Sequence, residues 1–316
     1  MPFDDSMKLA SPSGATLHLY FRAPEDRPRA VVHINHGLAE HAARYGRFAD
    51  HLARHGIASV AHDHRGHGHT KAPDAPAGVF ATGGGGAAKV VADVLAVHDY
   101  IGQRWPGVPV ILFGHSMGGL IALNTLFSAS HRVAGAAIWN ANFSAGLLGR
   151  IGQALLAWER FRLGSDVPSR IVPKLTFQAW ARQVPHARTA FDWLSRDPAE
   201  VDAYVADPLC GWDASVSMWQ DVFSMIFAGA DDRNLARIRR DLPIDIVGGA
   251  KDPATDGGKA TRHLAERMRA LGFSNLTSRV YADTRHESLN EVNRDEVMAD
   301  FVAWVEGNVE LNNPAR

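Results

Sequence analysis

The sequence predicts an α/β fold: a mostly parallel sheet, helices on both faces, and a helical insertion late in the chain. Three observations carry this. Short, near-continuous apolar runs alternate with amphipathic stretches over the first part of the chain, as in a parallel sheet buried on both faces. The alternation resumes after residue 239. Between them, residues 143–238 are rich in Trp, Phe and Arg and hold no apolar run resembling a central strand.

Residues 15–22 (Ala-Thr-Leu-His-Leu-Tyr-Phe-Arg) partly alternate, as an edge strand does. Residues 30–34 (Ala-Val-Val-His-Ile) form a β-branched run followed by Asn35-His36-Gly37. A helix is expected over 42–55, with Tyr45, Phe48, Ala49 and Leu52 on one side and Gly56 as its stop. The run 57–61 leads into His62-Asp63-His64-Arg65-Gly66-His67-Gly68-His69-Thr70. Residues 71–86 read as loop, 87–104 as a helix, and 108–113 as a strongly apolar strand ending in Gly114-His115-Ser116-Met117-Gly118-Gly119. A helix to about 128 and a strand over 133–139 follow. After the insertion come a strand at 244–247, a helix at 259–271, a strand at 276–281 and a helix at 294–305. The expected organisation is residues 1–142 and 239–316 as two parts of one core, with 143–238 as a helical cap.

Composition narrows the function. The 316 residues carry 33 Lys plus Arg against 34 Asp plus Glu, a net charge of −1. Such a balance leaves no electrostatic footprint for nucleic acid and no attraction to anionic membranes by charge alone. One Cys makes neither an internal disulfide nor a thiolate metal cluster. No basic-then-apolar leader and no apolar stretch of membrane-spanning length is present, so a cytoplasmic location is expected.

Gly114-His115-Ser116-Met117-Gly118 matches Gly-x-Ser-x-Gly between a predicted strand and a predicted helix, the context of a nucleophile elbow. The turn puts the Ser in a strained backbone conformation with its hydroxyl at the sheet edge, and the helix N-terminus behind it favours developing negative charge. The competing reading is a Gly-rich turn whose Ser caps the helix. On this topology an acid and then a His should follow. Asp252, before Pro253 and just past the 244–247 strand, is the candidate acid; Asp245 would lie inside the strand and Asp256 further along the loop. His286, after the last strand, is the candidate base, with Asp283 and Glu287 as fallback acids. The expected oxyanion donors are the backbone N–H groups of Met117 and Leu38.

These segments resemble the α/β-hydrolases, specifically the monoacylglycerol lipase and lysophospholipase-like branch. The matching pieces are His36-Gly37-Leu38-Ala39-Glu40-His41, Asp63-His64-Arg65-Gly66-His67-Gly68, Gly114-His115-Ser116-Met117-Gly118-Gly119, Asp252-Pro253 and Arg285-His286-Glu287, with Asp207-Pro208-Leu209-Cys210 resembling a cap segment. They span about residues 15–306. Thr70 departs from the Ser usual in that family. The resemblance implies an eight-stranded, mostly parallel sheet with a cap over the site, a structural role for Asp63 and Arg65, and hydrolysis of acyl esters without a cofactor.

The expected enzyme is thus a serine ester hydrolase acting through an acyl-enzyme on Ser116 with His286 and Asp252. Its expected partner is a small-molecule acyl ester, a monoacylglycerol or lysophospholipid-like molecule. Alternatives are an amidase or peptidase, an acyltransferase with the same triad, and a non-catalytic ligand-binding protein on this fold. The histidines of 62–69 share one short loop without a second cluster, so no metal is expected. The four glycines 83–86 lack the Gly-Lys-Ser/Thr of a phosphate cradle. Leu147, Leu148, Ile151 and Leu155 fall on one helical face, expected to pack in the cap and line the pocket, with transient membrane contact as the other reading. Cys210 is expected to be a buried small apolar residue.

Overall fold

The computed structural model describes residues 3–144 and 146–311, apart from the side chain of Leu148. The predicted segments 1–142, 143–238 and 239–316 therefore each include positions outside the described residues: 1–2, 145 and 312–316.

Eight strands form one sheet: β1 (Asp5–Ala10), β2 (Thr16–Arg22), β3 (Ala30–Asn35), β4 (Ile57–His62), β5 (Val110–His115), β6 (Gly135–Trp139), β7 (Ile244–Gly249) and β8 (Leu276–Tyr281). Their order is β1-β2-β4-β3-β5-β6-β7-β8. β1–β2 and β2–β4 pair antiparallel, and every other neighbouring pair is parallel. The α-helices of the core are α1 (Gly46–Arg54), α2 (Gly86–Arg104) and α3 (Met117–Ala129). Between β6 and β7 come α4 (Leu147–Leu163), α5 (Val172–Leu175), α6 (Phe177–Ala181), α7 (Pro198–Ala206), α8 (Val216–Ala230) and α9 (Asp232–Leu235). The core resumes with α10 (Lys259–Ala270) and α11 (Arg294–Asn308).

The two-residue side-chain period of a strand builds the layers. On β5, Ile111 and Phe113 pack with Phe48 and Leu52 of α1 and Phe301 and Val305 of α11. Leu112 points the other way, into a cluster with Val90 and Val94 of α2, residues of α3, and Leu264 and Met268 of α10. A third cluster joins Leu17, Leu19 and Phe21 of β2 to Val97 and Ile101 of α2. Burying strands on both faces is why the central ones read as continuous apolar runs.

β1 departs from expectation, since residues 5–10 read as no element. It is an edge strand, mostly exposed, with Met7 and Leu9 packed against the third cluster, so it carries no apolar run to read. The strand expected at 108–113 is shifted to Val110–His115, beyond Pro109. The Asp63 turn has the structural role that the resemblance implied. Asp63 accepts from the N–H groups of Ala42 and His69 and from Tyr20, and buried Arg65 pairs with Asp74 and Asp93. Thr70 keeps the hydroxyl function, donating to the Asp63 carbonyl and accepting from His18 N–H.

Candidate active site

Residues from four loops meet at the carboxyl ends of the central strands. Ser116 follows β5 and precedes α3, at φ 55° and ψ −118°. The chain can turn there because its flanks are bare. A Cβ on Gly114 would lie 2.1 Å from the Gly118 carbonyl oxygen, and one on Gly118 would lie 2.0 Å from that of Asn35. The Gly-x-Ser-x-Gly spacing is thus dictated by backbone running against backbone.

His286 bridges the predicted acid and nucleophile. Its Nδ1 lies 3.0 Å from both carboxylate oxygens of Asp252, and its Nε2 lies 2.9 Å from Ser116 Oγ. A proton on Nδ1 donates to the carboxylate and leaves Nε2 to accept from the Ser116 hydroxyl. Asp252 is fully buried and well supplied with donors: Ala254 N–H at 2.9 Å, Thr255 Oγ1 at 2.9 Å and Asn140 Nδ2 at 3.2 Å. Burial alone would push its carboxyl up. The charge and hydrogen bond of His286, joined by Asn140 and Thr255, outweigh burial and hold it below its usual value.

The other acids lie elsewhere. Asp245 is buried in β7, bonds Trp139 Nε1 at 3.0 Å, and is pushed up to about 7 by burial. Asp256 pairs with Lys259 on the surface, Asp283 is exposed, and Glu287 pairs with Arg44.

Among the described residues, neither the Leu38 nor the Met117 N–H donates to a protein acceptor. Met117 is the first residue of α3, where helix N–H groups have no partner within the helix. His36 sets the other donor. Its Nδ1 donates to the Gly37 carbonyl at 2.7 Å, and its Nε2 accepts from the His64 N–H at 3.0 Å. The Gly37 carbonyl and the Leu38 N–H belong to one planar trans peptide, so fixing the oxygen fixes the direction of the N–H.

Behind this loop lies a buried ionic cluster: Glu40 belongs to the 36–41 piece and Glu287 is a fallback acid, but no motif marks Arg44 or their pairing. Arg44 joins Glu40 to Glu287, contacting the latter at 2.7 and 2.8 Å. Glu40 also accepts from Gly37 N–H and Tyr45 Oη. His115 Nε2 donates to the His286 carbonyl at 2.9 Å, and its Nδ1 lies 3.6 Å from Glu40. Burial would lower the His115 imidazole; the Glu40 carboxylate outweighs it and raises it. The loops carrying Leu38 and His286 are therefore tied together.

Two pockets open at Ser116. One, of about 150 Å³, is lined by Leu38, Met117, Leu120, Trp180, Trp219 and Val222, together with Asn140 and Asn142. The other, of about 30 Å³, is lined by Glu40, His115, Trp193, Tyr204 and Glu287. Leu38, Phe177 and His286 border both.

His41, Asp207 and Cys210 bring three atoms of metal-ligand type within 4.8 Å of one another. Asp207 already bonds His41 Nε2 at 2.8 Å, and burial pushes the half-buried Cys210 thiol up, away from the thiolate a metal requires. The pair fastens the 36–41 loop to the segment after α7. Cys210 is thus less buried than expected.

Among the described residues, no helix is long and apolar enough to cross a membrane. Residues 26–293 match the family Hydrolase_4, described as serine aminopeptidase, S33. The chain is 27% identical to monoglyceride lipase of Mus musculus over 315 residues, covering 96% of this chain and 91% of that one. It is 28% identical to monoacylglycerol lipase of Mycolicibacterium smegmatis over 282 residues, covering 89% and 90%. Its structure superposes on a thermostable carboxyl esterase of Bacillus coagulans with a TM-score of 0.86 at 21% identity, covering 96% and 98% of the two chains, which shows the shared fold. The chain belongs to the Hydrolase_4 family and is a monoacylglycerol lipase-like serine ester hydrolase of the α/β-hydrolase fold.

Proposed function

We infer that this enzyme hydrolyses single-chain acyl esters, monoacylglycerols above all, through an acyl-enzyme on Ser116. The observation that carries the reading is the relay Ser116–His286–Asp252, at 2.9 and 3.0 Å, with two pockets opening at Ser116. In the proposed mechanism His286 removes the Ser116 proton as the hydroxyl attacks the ester carbonyl. Asp252 holds the tautomer and stabilises the imidazolium. The N–H groups of Leu38 and Met117 receive the oxyanion. The imidazolium then protonates the leaving alcohol, and water activated by the same His releases the acid.

The larger, mostly apolar pocket suits an acyl chain, and the smaller one, where Glu40, His115 and Glu287 stand beside Phe177, Phe191 and Leu194, is the side left for the leaving alcohol. The carboxylates of the smaller pocket are already engaged by Arg44. The helical segment 143–238, read as a cap, supplies most of the apolar wall. On α4, exposed Leu147, Ile151, Trp158 and Phe161 support delivery of such esters from a lipid surface.

The family description favours a second reading, an aminopeptidase. In that reaction the acyl half of the scissile bond bears an ammonium group, which needs a carboxylate partner when buried. No Asp or Glu lines the larger pocket, so the ester reading is preferred.

Replacing Ser116 by Ala should lower hydrolysis of a p-nitrophenyl ester by at least about 10³-fold and leave the thermal unfolding transition in place. Retained turnover would remove Ser116 from the mechanism. A panel of glycerol, glycerophosphocholine and simple alkyl esters, with aminoacyl anilides beside it, should rank the glycerol ester first. Faster cleavage of the anilides would select the peptidase reading.

A further inference from the structure

The 143–238 segment reaches the imidazole of His286, and the contact is aromatic. The ring of Trp193 lies 4.9 Å from that of His286, centroid to centroid, and tilted by 46°. Trp193 leans in turn on Trp180 at 4.9 Å and on Phe177 at 5.7 Å, nearly parallel to the latter. It is 4% exposed, and its indole N–H has no partner among the described residues, so ring packing rather than a hydrogen bond fixes its place.

The backbone keeps the two rings together. The Trp193 carbonyl accepts from His286 N–H at 3.4 Å, and the Leu194 carbonyl accepts from Glu287 N–H at 2.7 Å. The Arg285 guanidinium donates to the carbonyls of Asp192 and Ser195 at 2.6 and 2.9 Å. Three consecutive residues of the His286 loop are thus bonded to residues 192–195, so the backbones that carry the two rings stay side by side, while packing on Trp180 and Phe177 holds the indole against the imidazole.

We propose that Trp193 stabilises the positive charge that develops on His286 during ester cleavage and positions its ring, an inference that rests on the triad reading above. A cation within about 6 Å of an indole ring is attracted by its π electrons, whereas a neutral imidazole gains little. The contact is therefore stronger in the transition state than in the resting enzyme, the condition for raising turnover rather than binding alone. The other ionisable groups facing His286 are Asp252 from the β7 loop, Ser116 and His115 from the β5 turn, and Glu287 on its own loop. Glu40 and Arg44 stand behind His115 and Glu287. Asp252 offsets the imidazolium charge from the Nδ1 side, and Trp193 adds a contact to the ring itself.

The test uses the full chain with 5-fluoro- and then 5,6,7-trifluorotryptophan placed at position 193 alone, which drains π electrons at almost constant volume. The expected result is a stepwise fall in kcat, reaching about tenfold, with KM within about twofold and the acid limb of the kcat/KM profile moving to lower pH. Trp193→Leu should fall at least as far, and Trp193→Phe should recover part of the loss. Fluorine-insensitive kinetics, or an acid limb moving to higher pH, would overturn the proposal and leave Trp193 as a wall that excludes water. His286→Ala separates the two levels. Hydrolysis surviving that change would remove the triad reading, whereas an inactive His286→Ala beside fluorine-insensitive Trp193 would remove this inference alone.

Discussion

Ala39, Ser116 and Asn140 are non-glycine residues with left-handed backbone, at φ 56°, 55° and 50°. They lie on the three loops that follow β3, β5 and β6. Such conformations cost roughly 1–3 kcal/mol each, and all three sit where the loops converge on Ser116, His286 and Asp252. At Asn140 the gain is visible. The Nδ2 donates to Asp252 and the Oδ1 accepts from Ser288, which ties the acid to the loop beyond His286. No motif marks Asn140 in the sequence, because a single Asn after a strand is an ordinary turn residue. The proposed acid, Asp252, was legible as a candidate from its place after β7. Asp252→Asn should cost about 10³–10⁴-fold in kcat, since the amide no longer fixes the imidazole tautomer. Asp283→Asn, at an exposed position, should stay within about twofold. Steady-state kinetics of the two purified variants distinguish them, and a greater loss in Asp283→Asn would reassign the acid.

At the scale of elements, glycines decide how closely segments approach. Gly118 sits where α3 starts against the end of β3, and an added Cβ would meet backbone that cannot give way. Gly118→Ala should destabilise by more than about 4 kcal/mol or fail to fold. Gly83→Ala, in open space, should shift stability by no more than about 0.5 kcal/mol. Urea unfolding midpoints check both, and a stable Gly118→Ala would contradict the close approach.

The same logic corrects the expectation for α4. Its apolar positions Leu147 and Ile151 were expected to pack, yet they are 75% and 46% exposed. The helix instead turns Gly149 and Gly152 toward the rings of Phe227 and Phe223 on α8, with buried Leu156 and Glu159 on the same side. Hydrophobic periodicity identifies a helix with an apolar stripe. It does not say whether that stripe or a stripe of small residues faces the protein.

Across the whole molecule, the surplus of histidine has a structural answer. His33, His36, His62, His64, His67 and His98 are buried and form a connected set of rings, His33 Nε2 lying 3.0 Å from His62 Nδ1. Burial pushes His36 and His98 down to about 4, His62 and His67 to about 3, and His33 and His64 well below the usual value. Each is neutral in the native protein and protonated in an unfolded chain below about 6.5. The stability they contribute is therefore present above pH 6.5 and lost as pH falls from there toward 4. Raised groups act the other way: Asp93, Asp221, Asp245 and His115 contribute stability at lower pH that is lost as pH rises through their native values. The lowered histidines, joined by His18 and His51, outnumber the raised groups, so stability should fall steeply as pH drops through the range near about 5. Circular dichroism should show cooperative unfolding between about pH 6 and 4. A native spectrum persisting below pH 4 would contradict the neutral cluster.

The sequence by itself determined the α/β class, nearly every strand and helix of the core, and the positions of Ser116, Asp252, His286, Leu38 and Met117 as candidates. Those features rest on local rules: apolar runs, helical periodicity, and a turn that tolerates no side chain at two positions. Tertiary structure alone decided the rest. It paired β1 along the sheet edge, turned the glycine stripe of α4 inward, buried six histidines as neutral rings, and brought Glu40, Arg44 and Glu287 into one cluster. It also set Trp193 against His286. Each depends on which distant segments share a face, and contact between residues far apart in the chain leaves no periodic trace in either segment.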